Sequence, residues 1–175
     1  MTVINSMQPI SAPDAKVLIL GSMPGEISIQ KQQYYGNGRN HFWPIVYSLF
    51  DEPLEEDYRL RVEFALRHRL ALWDVIGSCR RKGSLDSSIR EEVPNKLIPF
   101  IKQHPQLKLI LFNGTKAFAT FKKYFGNEPV EGIGYMLMPS TSPTPGKYNK
   151  TYEEKLECWH VIKDYMYNSG NGKST

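Results

Sequence analysis

Glycine, proline and polar residues follow an apolar run near the start of the chain, in the segment Gly21-Ser22-Met23-Pro24-Gly25. Its spacing differs from the G-x-G-x-x-G of dinucleotide-binding turns, the G-x-x-x-x-G-K-[ST] of a P-loop and the G-x-S-x-G of a serine nucleophile elbow. These three chemistries are therefore not indicated. What remains is a tight turn whose glycines either let the backbone approach a ligand closely or serve structure alone.

Aromatic, amide and basic residues alternate in a second segment. An aromatic face beside a cation and an amide suits a pocket that stacks a planar base and hydrogen-bonds its edge. Phe42 and Trp43 are explained equally well as core residues of a helix that Pro44 can start. Tyr35 and Asn40 have no such explanation, so they are candidate ligand contacts. The segment reads Tyr34-Tyr35-Gly36-Asn37-Gly38-Arg39-Asn40-His41-Phe42-Trp43-Pro44.

Two later loops also begin where apolar runs end. Asn113 is a polar residue at such an end, and it either reads the edge of a ligand through its donor and acceptor or caps the following helix. Ser140, Thr141 and Ser142 follow another run, and their hydroxyls either hold a phosphate or simply form a proline-rich loop.

A basic triplet, Arg80-Arg81-Lys82, follows the second apolar run. Lysine and arginine side chains of this kind can contact the phosphate backbone of DNA. An exposed basic triplet is more often a solvated turn, so the triplet alone favours neither interpretation.

Four short apolar runs are expected to be the strands that position these loops. They are mostly continuous rather than alternating, which is typical of parallel strands covered on both faces. With amphipathic stretches between them, they predict an α/β fold: a three-layer α/β/α sandwich around a four-stranded parallel sheet. Ligands bind such sheets beyond the carboxyl ends of the strands, where the loops described above lie. The four runs are Val17–Leu20, Ala71–Val75, Leu107–Phe112 and Tyr135–Met138.

Helices are predicted where apolar residues recur three or four positions apart. One such stretch precedes each of the last three runs, and Thr151-Tyr152-Glu153-Glu154 is a capping box that opens a final helix. The apolar positions are Leu54, Tyr58, Val62 and Leu66, then Leu97, Ile98 and Ile101, then Ala117, Phe118 and Phe121, and finally Leu156, Trp159 and Met166.

Length and composition are those of an ordinary globular protein. The 175 residues are 41% hydrophobic and 23% charged, so we expect one domain over residues 1–168 and a disordered polar tail over residues 169–175. No apolar run reaches the roughly 18 residues of a membrane span, and no signal segment opens the chain. We therefore expect a cytoplasmic protein without membrane contact, associated with the nucleoid if the source is bacterial or archaeal.

Cysteine and histidine usage limits metal chemistry. Cys79 and Cys158 cannot by themselves build a four-cysteine zinc or iron–sulfur site, and both are predicted to be buried. No two of the four histidines have H-x-x-x-H or H-x-H spacing, so a metal enzyme is not expected. The net charge of +4 and the pI near 9.0 are compatible with nucleic acid binding but decide nothing alone.

Taken together, these loops resemble the uracil-DNA glycosylase superfamily, most closely its hypoxanthine-DNA (deoxyinosine) glycosylase branch. The resemblance runs in order over roughly residues 16–165, which makes it more specific than any single motif. It is carried by Leu18-Ile19-Leu20-Gly21-Ser22-Met23-Pro24-Gly25, Tyr34-Tyr35, Arg39-Asn40-His41-Phe42-Trp43, Leu72-Trp73-Asp74-Val75, Ser78-Cys79, Gly83-Ser84-Leu85-Asp86, Phe112-Asn113-Gly114, Pro139-Ser140-Thr141-Ser142-Pro143 and Glu153-Glu154-Lys155-Leu156.

The resemblance implies an enzyme without metal or cofactor that acts on double-stranded DNA containing a deaminated base, and we expect a monomer. The first motif, Gly21–Gly25, would form one wall of the base pocket. The Pro-Ser-rich loop, which begins at Pro139, would enter the minor groove. The expected base-binding residues are Gly21, Ser22, Met23, Pro24, Gly25, Tyr35 and Asn113. The expected DNA contacts are Arg39, Arg80, Arg81, Ser140, Thr141 and Ser142, with Lys82 and Lys147 in loops at the same edge.

Two positions carry what the resemblance implies about catalysis. Relatives have Asn or Asp at the third position of the first motif to position water, whereas this chain has Met23, which disfavours uracil excision by the usual route. The hypoxanthine branch shares this substitution, and there the Asn of an Asn-x-Phe-Trp element is implicated. Asn40 is its counterpart and our candidate catalytic residue, orienting water or the sugar. Tyr35 occupies the place of the aromatic residue that stacks on the flipped base, with Tyr34 as an alternative.

The expected reaction is hydrolysis of the N-glycosidic bond of a flipped base, most closely hypoxanthine, leaving an abasic site. No lysine is placed to form an imine. Two alternatives remain open at this point: a uracil or thymine mismatch glycosylase that uses the same pocket, and a non-catalytic nucleic-acid-binding module of the same fold.

Overall fold

The computed structural model describes residues 2–143 and 150–167, and seven strands in this part of the chain form two sheets. The larger sheet has four parallel strands in the order β3-β2-β6-β7, which confirms the predicted parallel sheet. In chain order the strands are β1 (Val3–Asn5), β2 (Val17–Gly21), β3 (Leu70–Asp74), β4 (Ile76–Arg80), β5 (Arg90–Pro94), β6 (Leu109–Asn113) and β7 (Gly134–Met138).

Helices cover both faces of the parallel sheet, so the three-layer α/β/α architecture is also confirmed. The larger core lies between the sheet and helices α2, α3, α6 and α7, and the second core lies between the opposite face and helices α4 and α5. In chain order the helices are α1 (Glu26–Lys31), α2 (Phe42–Leu49), α3 (Tyr58–Arg67), α4 (Leu97–Lys102), α5 (Thr115–Phe125), α6 (Tyr152–Trp159) and α7 (Val161–Tyr167).

The second sheet was not predicted from the sequence. Strands β1, β4 and β5 pair antiparallel in the order β1-β4-β5. Their sequences lack a continuous apolar run, and three of the five residues in β5 are charged, because only part of this sheet is buried. One residue, Val75, separates β3 from β4, so the chain passes directly from the large sheet into the small one.

Several predicted boundaries were wrong. Helix α3 begins at Tyr58 after Asp57, whose side chain accepts a hydrogen bond from the amide of Arg59, and Leu54 is exposed ahead of it. The final helical stretch is two helices divided at His160, although its capping box at Thr151 is present as predicted. Cys79 is buried, but Cys158 is only half-buried.

Gly114 lets the chain turn sharply from β6 into α5. Its φ of 100° lies in the region that favours glycine, and a Cβ there would lie 3.3 Å from Cβ of Ser140. The end of β6 therefore packs closely against the loop after β7.

None of the helices in the described ranges is long and apolar enough to cross a bilayer.

Candidate active site

Three neighbouring parallel strands end side by side at the carboxyl edge of the large sheet. Gly21 of β2 pairs in register with Asp74 of β3, and on its other side β2 pairs with β6, which ends at Asn113. Because strand side chains alternate between faces, Asp74, Gly21 and Asn113 face the same side of the sheet, with the glycine in the middle. A carboxyl and an amide thus flank a position that has no side chain.

A cavity of about 420 Å³ lies at this edge, lined by Gly21, Asp74, Asn113, Tyr35 and Asn40 among other residues. A Cβ at position 21 would lie 2.6 Å from Oδ1 of Asp74 and 3.7 Å from the Tyr35 hydroxyl oxygen. The first distance is shorter than van der Waals contact, so only glycine leaves this floor open without moving the carboxyl.

The second motif is the segment from Tyr34 to Pro44, and its two tyrosines have different environments. Tyr34 is buried in the core, and its hydroxyl donates to the backbone oxygen of Gln8 at 2.9 Å. Tyr35 is half-buried, with its ring 4.1 Å from that of Phe42 and its hydroxyl beside the Asn113 amide. Its φ of 54° is unusual for a residue other than glycine, and such strain is common at binding sites. Burial raises the pKa of Tyr35 well above its usual range, so the hydroxyl remains protonated.

Asn40 lines the cavity from the start of helix α2. Its Oδ1 accepts a hydrogen bond of 2.9 Å from the backbone amide of Phe42, which holds the side chain in place. With that oxygen bound to the backbone, the side-chain NH₂ is the group that Asn40 can offer to a ligand.

Asn113 is fixed by the loop that follows β7. Its Nδ2 donates to Oγ1 of Thr141, and its Oδ1 accepts from the backbone amide of Thr141, both at 2.9 Å. The backbone oxygen of Thr141 also accepts from the amide of His41 at 3.0 Å. Thr141 is fully buried, so the expectation that its hydroxyl contacts DNA was wrong. Its role is to join the second motif, the Pro-Ser-rich loop and Asn113.

Comparison with known proteins identifies the family. The model of the uracil DNA glycosylase superfamily matches residues 8–163. The chain belongs to this superfamily. A hypoxanthine DNA glycosylase from Methanosarcina acetivorans is 38% identical over 149 residues, 83% of this chain and 90% of the relative. Another from Methanosarcina barkeri is 40% identical over 110 residues, 62% of this chain and 70% of the relative.

A solved structure of the same superfamily has a similar fold. The solution NMR structure of a Methanosarcina acetivorans protein, provisionally assigned to uracil DNA glycosylase, has a TM-score of 0.76 and 30% identity. The match covers 93% of this chain and 99% of that protein. The similarity therefore extends over nearly the whole length of both chains.

Met23 is explained by packing. This superfamily member buries Met23 in a small apolar cluster with Ile76, Cys79 and Ile89, which belong to the antiparallel sheet and the connection between β4 and β5. A thioether neither binds nor deprotonates water, so the residue attaches the first motif to the second sheet.

The connection between β4 and β5 also forms part of the cavity wall. Ser22 donates its hydroxyl to Oδ1 of Asp86 at 2.6 Å, and the backbone amide of Glu26 donates to Oγ of Ser84 at 2.9 Å. Ser84, Leu85, Asp86 and Ser87 all line the cavity. The first motif and this connection therefore form one hydrogen-bonded unit.

Arg81 was predicted to be an exposed DNA contact, and this was wrong. Its side chain is 4% exposed, and its Nη2 donates to the backbone oxygen of Pro24. The guanidinium lies beneath the first motif instead of facing solvent. Arg80 was predicted to lie in a loop, but it lies in β4 and pairs with Glu91.

The other expected DNA contacts are accessible. Arg39 and Lys82 are exposed, as is Ser140, while Ser142 is half-buried at the cavity. Lys147 lies outside the described residues, as does the predicted tail from 169 to 175.

Asp74 is the site residue that the sequence did not single out. It is 4% exposed, and burial raises its pKa to about 7, with the charge of Asp86 raising it further and that of Arg81 lowering it. The available signal was a polar side chain at the end of an apolar run, the same signal that identified Asn113. No cluster of three His, Cys, Asp or Glu side chains suited to a metal exists within residues 2–143 and 150–167.

Proposed function

We propose that this protein is a monofunctional DNA glycosylase that hydrolyses the N-glycosidic bond of deoxyinosine and releases hypoxanthine. The superfamily match and two relatives named hypoxanthine DNA glycosylase support this assignment. The relative from M. acetivorans aligns over 90% of its own length, so the likeness is not limited to one motif.

The observation that carries the proposal is the open position at Gly21 between Asp74 and Asn113. The cavity of about 420 Å³ falls in the range of roughly 300–1,000 Å³ that small-molecule sites occupy. A base extruded from the duplex would lie over Gly21, with its edge towards Asn113 and the backbone amides of the first motif.

Catalysis in this proposal depends on positioning and electrostatics. The sugar develops oxocarbenium character as the C1′–N9 bond breaks, and fixed donors stabilise the charge on the departing base. Asn40 offers its side-chain NH₂ to the base or the sugar, because its oxygen is bound to the amide of Phe42. None of the described residues that line the cavity is a lysine, which favours hydrolysis over an imine mechanism.

The DNA would lie across the mouth of the cavity. We propose Arg39, Ser140 and Ser142 as phosphate contacts, because the two serines line the cavity and Arg39 is exposed next to Asn40, which also lines it. We propose duplex DNA with a deaminated base as the substrate and a monomer as the active form. A mispaired base such as inosine opposite thymine costs less to extrude than a normally paired one.

An excision assay tests this function. Labelled duplexes containing deoxyinosine, uracil or thymine opposite each of the four bases are incubated with the protein and then treated with alkali to cleave abasic sites. We expect strand cleavage for deoxyinosine. Cleavage of uracil duplexes alone would contradict the substrate, and no cleavage of any duplex would contradict the enzymatic assignment.

The Asn40→Ala variant tests the site. We expect it to lower the single-turnover rate on deoxyinosine by about 10²-fold or more, the usual effect of removing one preorganised donor. Asn127→Ala is the matched control, because Asn127 is exposed after α5 and does not line the cavity. Equal rates for both variants would refute a catalytic role for Asn40.

A further inference from the structure

We propose that Asp74 is the general base of the excision reaction, the group that accepts a proton from the attacking water. The inference rests on the proposed function and adds a catalytic residue to it. It concerns the carboxyl that flanks Gly21 on the floor of the cavity.

The position of Asp74 is the first argument. Asp74 is the last residue of β3 and lies beside Gly21. Its side chain lines the cavity that would hold the base. Oδ2 is buried without a hydrogen-bond partner from any residue that the structure describes. A buried, unpaired carboxylate oxygen is costly, and such groups are retained mainly where they have a task. A general base requires an acceptor oxygen that no other group occupies, and Asp74 combines such an oxygen with a place in the cavity lining.

The other candidates lack this combination. Met23 packs into an apolar cluster, and the amide of Asn40 cannot accept a proton at neutral pH. The remaining carboxylates among the described cavity residues are Glu26 and Asp86, and both are exposed. Asp86 is also bound to the hydroxyl of Ser22. Asp74 is therefore the one buried carboxyl of the described cavity lining.

Charged and titratable groups around Asp74 adjust its affinity for a proton. Asp86 faces it from the β4–β5 connection and raises its pKa, while Arg81 faces it from the same connection and lowers it. Tyr34 and Tyr35 face it from the second motif. Burial, and to a lesser extent the charge of Asp74, raises the pKa of both hydroxyls, so both remain neutral. Burial is the largest effect and places the pKa of Asp74 at about 7. A base with this pKa is half ionised at neutral pH and still binds a proton readily. General-base catalysis is most effective when these two properties, the ionised fraction and the proton affinity, are balanced in this way.

The chemical step balances with water as the co-reactant. The water oxygen forms a bond to C1′ of the deoxyribose, and one water proton passes to the Asp74 carboxylate. The C1′–N9 bond breaks, and its electron pair leaves with hypoxanthine. The proton on Asp74 then passes to the departing base, directly or through solvent, so the carboxylate is regenerated and the products are hypoxanthine and an abasic site.

The experiment compares the full chain with its Asp74→Asn variant, which retains the shape of the side chain but cannot accept the proton. Single-turnover rates on a deoxyinosine duplex are measured between pH 5.5 and 8.5. Binding is measured separately on a duplex containing a tetrahydrofuran abasic-site analogue. Asp51→Asn is the matched control, because Asp51 is exposed, lies outside the cavity and has a φ of 53° that asparagine tolerates.

For the unsubstituted protein we expect the rate to rise roughly tenfold per pH unit below pH 7 and to level off above it, because the ionised form is active. The Asp74→Asn variant should lose about 10²- to 10⁴-fold in rate and this pH dependence. Its affinity for the tetrahydrofuran duplex should stay within about threefold, and Asp51→Asn should behave as the unsubstituted protein.

Three results would overturn the proposal. The first is an Asp74→Asn rate within threefold of the unsubstituted protein. The second is a lower rate in that variant with an unchanged pH profile, which would indicate a structural role. The third is a flat profile for the unsubstituted protein, which is decisive even if the variant does not fold. If the unsubstituted protein releases no hypoxanthine at any pH, the proposed function fails as well, and that result is distinct from the other three.

Discussion

A side chain at Gly21 would enter the space between Asp74 and Asn113. Its Cβ would lie 2.6 Å from a carboxyl oxygen that belongs to a short, buried side chain. We expect Gly21→Ala to lower the free energy of unfolding by about 1–3 kcal/mol, the usual cost of overpacking. Its excision rate should fall by about 10²-fold or more, because the added methyl group would keep the extruded base from its position over residue 21.

Urea unfolding and single-turnover excision check this expectation. Gly38→Ala is the control, since a Cβ at position 38 would have no heavy atom within 4 Å apart from its chain neighbours. Wild-type activity in Gly21→Ala would mean that the base does not approach this part of the floor.

Asp74 also makes stability depend on pH. Its pKa is about 7 in the folded protein but near 4 in an unfolded chain, so the folded state binds the proton more tightly. Stability should therefore fall as the pH rises from about 4 to 7 and then level off. Asp74→Asn removes this penalty, and at pH 8 we expect it to be more stable than the unsubstituted protein by roughly 2–4 kcal/mol.

Urea unfolding at pH 8 and pH 5 provides the measurement. The difference between the two proteins should shrink at the lower pH, because the aspartate is then largely protonated in the folded state. A difference that does not change between the two pH values would show that the carboxyl is not strongly perturbed.

Asp74 and Asn113 show which residues of the candidate site could be identified from the sequence. Both are polar residues at the ends of buried strands, and the sequence contains both signals equally clearly. Asn113 was singled out as a polar residue where an apolar run ends, whereas Asp74 was counted as part of the second predicted strand, Ala71–Val75. What could not be predicted was the register that places Asp74 beside Gly21, since pairing between β2 and β3 depends on the packing of the whole sheet.

At the scale of elements, the β4–β5 connection adjusts the pKa of Asp74, because it carries both Asp86, which raises that pKa, and Arg81, which lowers it. Because the positive charge of Arg81 lowers the pKa of Asp74, the Arg81→Met variant should shift the rise of the excision rate to higher pH. The rate at pH 7 should fall accordingly. The salt dependence of DNA binding should not change, because this buried side chain neutralises no phosphate.

Rate profiles against pH and binding titrations at several salt concentrations test the Arg81→Met variant. Lys82→Met is the neighbouring control for the pH profile, since Lys82 is exposed in the same connection and is not among the groups that shift the pKa of Asp74. A weaker salt dependence in Arg81→Met would restore the original expectation that Arg81 contacts the DNA backbone.

The two sheets differ in how far their strands can be predicted from the sequence. Each strand of the parallel sheet except β7 is almost wholly buried and has a nearly uninterrupted apolar sequence, so its existence could be predicted from that continuous run. The antiparallel strands β1 and β5 are largely exposed, and β5 is rich in charge. Their pairing with β4 is a tertiary effect that no local pattern reports.

For the whole molecule, the small net charge of +4 gains meaning from its distribution. Arg39 is exposed next to Asn40, at the carboxyl edge of the sheet. If it contacts a phosphate, Arg39→Ala should weaken binding to all duplexes similarly and reduce the slope of log K against log salt by about 1.

Titrations of a tetrahydrofuran duplex at several salt concentrations provide the test of Arg39→Ala. Lys102→Ala is a suitable control, because Lys102 is exposed at the end of α4, near the amino ends of the strands. Identical slopes for Arg39→Ala and the unsubstituted protein would place the DNA elsewhere on the surface.

The chain enters the small sheet at Ile76, two residues after Asp74, and the connection between β4 and β5 then forms part of the cavity wall. Loops held between paired strands tolerate changes in length and sequence better than the elements that support them. Insertions or deletions over residues 82–88 would therefore resize the mouth of the cavity while the parallel sheet stays intact. This connection is where the selectivity of the protein for its base is most open to evolutionary change and to redesign.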